Sequence, residues 1–287
     1  MDIIFLGTGA AEGVPAAYCR CSDCEGVRKR GGNEIRTRSS LRLGPSCQID
    51  LSPDLYWQML RHGVDMHEVE HVLITHTHSD HFSLSGLTDK TMARVTNEKP
   101  VHLYLSRPAS AYLERLVELK EPSLGERKRL SELFTITRLE YFGEYRAGDL
   151  VVETIKANHT VRGEDEYAVN YLITMPDARK LLYALDTGYY REETWEYLRG
   201  RRIDLLVMDC TFAGRTDRGP FADGHLAIDS FHSMLERMAN IGFVNSRTKI
   251  VASHFNPHQG LTHDGIQQAF DAGPFDVVVA HDGMRLE

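Results

Sequence analysis

Four potential metal ligands are crowded within six residues of this chain. The segment reads THTHSDH from Thr75 and directly follows a short apolar run, VLI. Side chains of an extended segment alternate, so His76 and His78 point the same way, and a turn into a helix would swing Asp80 and His81 towards a second point nearby. Packing alone does not explain such a set at the end of a strand. The spacing therefore predicts that one short segment serves two metal ions, which lie about 3.5–4 Å apart in two-metal sites.

Short runs rich in β-branched residues recur along the whole length, with helical patterns between some of them. The predicted strands are Ile3–Leu6, Leu41–Leu43, Cys47–Leu51, Val69–Ile74, Val101–Leu105, Val151–Ala157, Ala168–Thr174, Lys180–Leu185, Leu205–Met208, Ile250–Ala252 and Val277–Ala280. The predicted helices are Asp54–His62, Ser83–Val95, Ala109–Leu119, Arg191–Arg199, Ala227–Ala239 and Thr262–Asp271. Strands that pair early as hairpins and later alternate with helices predict an α/β fold, in which two sheets pack face to face with helices outside.

No linker rich in proline, or in glycine and serine, divides the sequence, which predicts a single domain over residues 1–287. The stretch 107–140 is charged and helical in pattern, and it resembles an insertion. Such an insertion would either cover a site or form an ordinary surface helix pair.

Composition narrows the class of protein. With 42% hydrophobic and 26% charged residues, the chain is typical of soluble globular proteins. It contains no apolar run long enough to cross a membrane and no secretory signal, so we expect a cytoplasmic protein. A net charge of −8 argues against nucleic acid as a partner. An anionic substrate would therefore need a locally positive site.

Three of the five cysteines lie close together in the sequence. Cys19, Cys21 and Cys24 form a Cys-x-Cys-x-x-Cys motif, which is typical of a closed zinc site that needs one more ligand. The alternative is a chance cluster of reduced surface cysteines. Cys47 and Cys210 adjoin apolar residues, which predicts that both are small core residues.

The histidine segment resembles the His-x-His-x-Asp-His signature of the metallo-β-lactamase superfamily, and other residues extend the resemblance. His159 follows a predicted strand as the superfamily's third histidine does, Asp186 stands like its bridging carboxylate, and His254 matches its late histidine. The resemblance implies an αββα sandwich of two mixed β-sheets flanked by helices. It also implies a hydrolase with two catalytic divalent metals, Mn²⁺ or Zn²⁺. One metal would be bound by His76, His78, His159 and Asp186, and the other by Asp80, His81, His254 and the shared Asp186.

The thiol motif together with the histidines resembles the phosphoribosyl 1,2-cyclic phosphate phosphodiesterase (PhnP-like) family of the carbon–phosphorus lyase pathway. In that family a histidine shortly after the last active-site histidine completes a structural Zn²⁺ site, which implies His258. The family's spacing is one residue shorter, so His263 is the reserve candidate. The family's proton donor corresponds to His225, whose alternative role is a helix cap or loop contact. We count Asp80 and His225 as the catalytic residues.

The resemblance implies a metal-dependent phosphodiesterase acting on a small phosphorylated substrate, such as phosphoribosyl 1,2-cyclic phosphate. Other hydrolases carry the same signature, namely RNA-processing nucleases, thioesterases and lactonases. The RNA route predicts a basic arm, and the run Arg28-Lys29-Arg30 is short for that purpose. A metal-binding accessory protein without catalysis is a further alternative. A homodimer is the commonest default for the oligomeric state.

Overall fold

A computed structural model of the chain describes residues 1–94, 99–120, 130–161 and 165–286. Its strands are β1 (Ile3–Gly7), β2 (Ser40–Leu43), β3 (Cys47–Ile49), β4 (His71–Leu73), β5 (Val101–Ser106), β6 (Phe134–Leu139), β7 (Glu144–Ala147), β8 (Leu150–Val161), β9 (Glu166–Thr174), β10 (Lys180–Ala184), β11 (Leu205–Asp209), β12 (Lys249–Ser253), β13 (Val277–Val279) and β14 (Arg285–Leu286). Its helices are α1 (Ser22–Arg30), α2 (Leu55–His62), α3 (Leu84–Met92), α4 (Arg107–Lys120), α5 (Leu130–Leu133), α6 (Glu192–Leu198), α7 (Ile228–Asn240) and α8 (His263–Asp271).

The strands form two seven-stranded mixed sheets. The first has the order β14-β1-β2-β3-β4-β5-β6 and the second β13-β12-β11-β10-β9-β8-β7. Strands β3 to β6 are parallel neighbours, and so are β10 to β13, while the rest of each sheet is antiparallel. The carboxyl ends of parallel strands lie at one edge of a sheet, and in α/β proteins ligands bind at that edge.

The core follows from the two-residue period of the strands. On β10, Leu181 and Tyr183 belong to the apolar layer between the sheets, whereas Leu182 and Ala184 belong to the layer under the helices. The layer outside the first sheet packs against α2, α3 and α4 through Leu55, Leu87 and Leu113. The layer outside the second sheet packs against α6, α7 and α8 through Trp195, Phe231 and Phe270. Each sheet is thus covered on both faces, which makes the αββα sandwich.

The α/β fold with two mixed sheets flanked by helices is confirmed. Each predicted strand and helix is present with shifted ends, and Val95, the last residue of one predicted helix, lies outside the described residues. The patterns missed β6, β7, β14, α1 and α5. Cys47 and Cys210 are fully buried in the core, as predicted. No helix among the described residues combines the length and the apolar character that crossing a membrane requires.

The predicted helical insertion around 107–140 is wrong at its carboxyl end. Phe134–Leu139 is strand β6, which pairs in parallel with β5 and extends the first sheet. The strand, FTITRL, was grouped with the charged residues that precede it in the sequence, although Phe134 and Ile136 pack on the apolar layer of that sheet. Helix α4 occupies the start of the stretch, and residues 121–129 lie outside the described residues. That the stretch covers a site stays a prediction.

Candidate metal centre

Seven side chains from distant parts of the chain meet at the carboxyl edge of the two sheets. The segment 76–81 follows β4, His159 lies near the end of β8, Asp186 follows β10, and His254 follows β12. The ligand atoms form two sets, each within 4.8 Å of one another. We call the first set the first cation site, formed by His76, His78, His159 and Asp186. We call the other set the second cation site, formed by Asp80, His81, Asp186 and His254.

In the first cation site the ring nitrogens face one another. His78 Nδ1 lies 3.0 Å from His76 Nε2 and 3.1 Å from His159 Nε2. Asp186 Oδ2 is 3.6 Å from His76 Nε2 and 3.7 Å from His159 Nε2. Four donor atoms therefore converge on one point, as tetrahedral metal sites require.

The second cation site shows the same convergence around the other oxygen of Asp186. Asp186 Oδ1 lies 2.9 Å from His81 Nε2 and 3.0 Å from His254 Nε2, and these two nitrogens are 3.2 Å apart. Asp80 Oδ2 is 3.2 Å from His81 Nε2. Asp186 Oδ1 is nevertheless buried without a hydrogen-bond partner. A cation between these atoms would satisfy that oxygen, so the donor set fits a metal ion.

The partners of the outer ring nitrogens show which nitrogen of His81 and of His159 faces a cation. His81 Nδ1 lies 2.7 Å from the carboxylate Oδ2 of Asp50, and His159 Nδ1 lies 3.1 Å from the carbonyl oxygen of Gly224. A carboxylate and a carbonyl oxygen accept hydrogen bonds, so each Nδ1 donates to its partner and each Nε2 is the nitrogen that faces the cation site. Such outer partners orient metal-binding histidines and raise their basicity.

The pKa shifts of the ligands favour the binding of a cation at this edge of the sheets. Burial lowers the pKa of His159 to about 4, which leaves its ring neutral and able to bind a metal at pH 7. Burial opposes ionisation of Asp80 and Asp186, yet the surrounding imidazoles lower the pKa of both carboxyl groups. Burial also opposes the charged form of His81, but the Asp186, Asp80 and Asp50 carboxylates raise the pKa of His81 well above its usual value. A divalent cation would compete with that proton, so metal binding should strengthen as the pH rises.

Three residues of the centre share an unusual backbone conformation. Asp50, Asp186 and His254 have φ angles of 63°, 50° and 68°, in the left-handed region that residues with a side chain rarely adopt. Each comes within two residues of the end of a strand, at the sheet edge where the ligands meet. Backbone strain of this kind clusters at functional sites, where the surrounding structure maintains it.

His225 lies beside both cation sites. Its ring is 4.6 Å from the ring of His159 and stacks on that of His254 at 5.5 Å and 14°. Its Nδ1 lies 2.9 Å from Asp209 Oδ2. Burial opposes the charged form, but the Asp209 carboxylate outweighs it and raises the pKa of His225 to about 9. The alternative of a helix cap is wrong, because Ala227 is the cap residue of α7.

Sequence reasoning missed the residues behind the ligands. Asp50 accepts from Thr75 N at 2.8 Å as well as from His81, and Asp209 accepts from Leu226 N at 3.0 Å. Thr211 Oγ1 lies 2.8 Å from His254 Nδ1 and contacts Asp209. The signal that could have found Asp50 and Asp209 is a carboxylate at the end of a buried strand, the position that pointed to Asp186.

Comparison with known families decides where this chain belongs. Residues 44–262 match the family described as Anti-Pycsar protein Apyc1. The chain belongs to this family. Over its full length it is also similar to ribonuclease Z of Rippkaea orientalis. The two are 24% identical over an alignment of 333 positions, which covers 97% of that protein. The coenzyme PQQ synthesis protein B of Methylobacterium nodulans is 25% identical over 312 residues that cover 99% of it.

One relative is matched only in part. A segment of 93 residues is 40% identical to an octanoyltransferase of Porphyromonas gingivalis. This segment covers 31% of the chain and 18% of that protein, so the chain spans about a fifth of its length.

Solved structures show the same fold as this Apyc1-family chain. A diphosphatase from the PhnP family superposes with a TM-score of 0.72 and 19% identity, covering 99% of this chain and 96% of the other. Zn²⁺-bound PqqB from Methylobacterium extorquens superposes with a TM-score of 0.76 and 19% identity over the whole of both chains. The predicted membership of the metallo-β-lactamase superfamily is confirmed. The chain has the metallo-β-lactamase fold, with histidine and aspartate clusters suited to divalent metals.

This Apyc1-family chain has a second cluster of potential ligands near its amino terminus. Cys19, Cys21, Cys24 and His258 offer ligand atoms within 4.8 Å of one another, and we call them the thiol cluster. Cys21 Sγ lies 3.6 Å from His258 Nδ1. The Cys24 backbone N–H and the Cys19 thiol lower the pKa of Cys21 to about 6, whereas burial raises the pKa of Cys24 to about 11. At least one thiolate is therefore available at neutral pH.

The reserve candidate, His263, has another partner. Its Nδ1 lies 2.9 Å from Arg36 Nη2, and Arg36 is buried under the start of α8. Because a guanidinium group only donates, His263 Nδ1 accepts this bond and the ring is neutral. The structure thus brings His258 into the thiol cluster and leaves His263 out of it.

Proposed function

We propose that this chain is a dinuclear-metal-dependent phosphodiesterase that hydrolyses a small cyclic phosphodiester, such as phosphoribosyl 1,2-cyclic phosphate. The observation that carries the proposal is the convergence of two four-ligand sets on Asp186, with His225 beside both. A phosphodiester carries a negative charge, and the centre is where this acidic protein can bind it. The proposal includes Mn²⁺ or Zn²⁺ as the catalytic pair and one structural Zn²⁺ in the thiol cluster.

The residues divide the work of hydrolysis. When bound, a pair of divalent cations lowers the pKa of water towards neutrality and neutralises the charge that grows on the phosphate. Asp209 accepts the hydrogen bond of His225 Nδ1, which leaves the other ring nitrogen to act at the centre. From there His225 would protonate the departing sugar oxygen, a step worth about 10²- to 10⁴-fold in rate. Asp80 would act through the cation that it binds.

Two observations favour a small substrate over RNA. Arg28, in the short basic run, donates to the carbonyl oxygens of Cys19 and Ala16, and Arg30 pairs with Glu34. The guanidinium groups of Arg28 and Arg30 thus already bind partners within the protein. The net charge of −8 also disfavours a long polyanion.

A substrate screen tests the proposal. The chain, loaded with Mn²⁺ or Zn²⁺, would be assayed on phosphoribosyl 1,2-cyclic phosphate, a 3′,5′-cyclic mononucleotide, bis(p-nitrophenyl) phosphate, a precursor transfer RNA, an acyl thioester and a lactone. We expect turnover of the phosphodiesters, with at least one cyclic compound preferred over the linear one. Turnover of the thioester or lactone alone would overturn the proposal, and preference for the RNA would reassign the chain to RNA processing.

Metal content separates an enzyme from an accessory protein. We expect two exchangeable metal ions and one tightly held Zn²⁺ per chain. A single tightly held Zn²⁺ without an exchangeable pair would support a non-catalytic role instead.

A further inference from the structure

Glu166 binds Thr77, the residue between two ligands of the first cation site. Its side chain is completely buried. One carboxylate oxygen accepts from Thr77 N at 2.9 Å and the other from Thr77 Oγ1 at 2.6 Å. Thr77 lies between His76 and His78, so this clamp fixes the backbone from which both rings project. A buried carboxylate that accepts two hydrogen bonds from one residue holds that residue in a single orientation.

The same glutamate belongs to the hairpin that supplies the third histidine. Glu166 begins β9 and pairs with Val161 on β8, two residues beyond His159. The start of β9 is itself fixed, because the Tyr141 hydroxyl donates to Tyr167 O at 2.9 Å and accepts from Tyr167 N at 3.1 Å. Glu166 therefore ties the hairpin that carries His159 to the segment that carries the other two imidazoles.

The second cation site is secured by other residues. There Asp50 orients His81, and Thr211 Oγ1 lies 2.8 Å from the outer nitrogen of His254. The clamp on Thr77 makes none of these contacts. We propose that Glu166 is a positioning residue that sets the affinity of the first cation site and leaves the second site nearly unchanged. This inference rests on the proposed dinuclear centre.

Metal counting provides a test that does not depend on activity. Native mass spectrometry across buffered free Zn²⁺ concentrations would record how many ions each variant binds. For Glu166→Ala, we expect one ion to require about 10-fold more free Zn²⁺, the lower end of the cost of losing an outer partner of a ligand, because Glu166 acts on the ligands through Thr77. The other exchangeable ion and the thiol-cluster ion should bind as in wild type.

Glu153→Ala is the matched control. Glu153 lies on the same hairpin, on β8, and accepts from Tyr197 Oη at 2.7 Å and Arg201 Nε at 3.3 Å, away from the ligand segment. Its loss should lower the melting temperature but not the affinity for any ion. If Glu166→Ala and Glu153→Ala give the same Zn²⁺ titration, the inference is wrong, and it is also wrong if both exchangeable ions weaken equally.

Two milder variants keep the test decisive if Glu166→Ala does not fold. In Glu166→Gln, the amide oxygen can still accept from Thr77 N while the amide nitrogen donates to Thr77 Oγ1, so we expect affinity close to wild type. Thr77→Val keeps the shape and loses one bond, and it should weaken the same single ion by a smaller factor. A Gln variant as weak as Ala, or a Val variant that binds Zn²⁺ like wild type, would overturn the inference. Wild-type protein without an exchangeable pair would instead overturn the proposed function.

Discussion

The histidine–carboxylate centre and the thiol cluster obtain their geometry in different ways. In the centre, six of the seven ligands are buried and His78 is half-buried, and the outer atoms of His81, His159 and His254 each have a protein partner. In the thiol cluster, three cysteines lie within six residues of one another at the start of α1, and the fourth member, His258, is exposed.

The difference concerns what holds each site together. In the centre, strand ends and buried carboxylates preorganise the ligands, so the protein determines the site and the cations can exchange. In the thiol cluster, Cys21 Sγ approaches His258 Nδ1 to 3.6 Å, and the two loops that carry these residues are also joined by Asn256 Nδ2 donating to Glu12 Oε1 and by the backbone hydrogen bonds Ala10 N to Phe255 O and Phe255 N to Thr8 O. There a metal would add a direct link between the cysteines and His258, as in structural zinc sites.

Asp186→Asn should cause the largest loss of metal binding and activity, and it tests the preorganised histidine–carboxylate centre. The amide removes the shared negative charge, so we expect both exchangeable cations to be lost while the thiol-cluster zinc stays. The value of kcat/KM should fall by at least about 10³-fold, since cations supply several kcal/mol of charge stabilisation in the transition state. Asp177→Asn, at an exposed carboxylate paired with Arg179, is the control and should behave as wild type. Retention of both cations by Asp186→Asn would contradict the shared ligand.

His225→Asn separates proton transfer from metal binding. All three ions should remain, because His225 is not among the ligands of either cation site. We expect kcat for a cyclic phosphodiester to fall by about 10²- to 10⁴-fold. The loss should be much smaller with bis(p-nitrophenyl) phosphate, because p-nitrophenolate leaves without a proton. An equal loss on both substrates would remove His225 from the role of proton donor, and His102→Asn at an exposed position serves as the control.

Cys24→Ser tests the other side of the comparison. We expect one ion fewer per chain and a free energy of unfolding lower by about 2 kcal/mol or more, which corresponds to roughly 4–8 °C in melting temperature. At temperatures where the variant is folded, kcat/KM should stay close to wild type. Cys47→Ala removes a buried thiol from the core and should keep all three ions. If Cys24→Ser is inactive while folded, the thiol cluster has more than a structural role.

The sequence predicted the ligands of the centre because their residue types bind metals and because they follow strands. Histidine and aspartate at strand ends indicated both cation sites before their geometry was known, because few other residue types bind such metals. Asp50, Asp209 and Glu166 carry the same chemistry without a local pattern. Glu166 is separated from Thr77 by 89 residues, and the two meet because β9 lies against the segment after β4, where Val169 N donates to Thr75 O at 2.9 Å.

In the thiol cluster, the sequence predicted the three cysteines but did not decide the fourth ligand. Its three cysteines were evident from spacing alone, yet the choice between His258 and His263 depended on the direction of the chain after β12. Asn256 turns that loop, since its Oδ1 accepts from His258 N at 2.7 Å. Strand β6 was missed because its alternating sequence, FTITRL, was grouped with the charged stretch before it, whereas the structure pairs it with β5.

The smallest expected effect concerns His263, the histidine beside the thiol cluster that binds Arg36 instead. Burial and then Arg36 lower the pKa of His263 below its usual value near 6.5. The unfolded chain therefore takes up this proton first as the pH falls, and the stability that the neutral ring contributes is lost below about pH 6.5. In His263→Asn, the amide oxygen can still accept from Arg36 but does not titrate. Between pH 7.5 and 6, its melting temperature should fall by about 1–2 °C less than that of wild type, since solvent screens a half-buried ring. His67→Asn at an exposed position should follow wild type, and an equal pH dependence in all three proteins would show that His263 takes up its proton equally readily in the folded and unfolded chain.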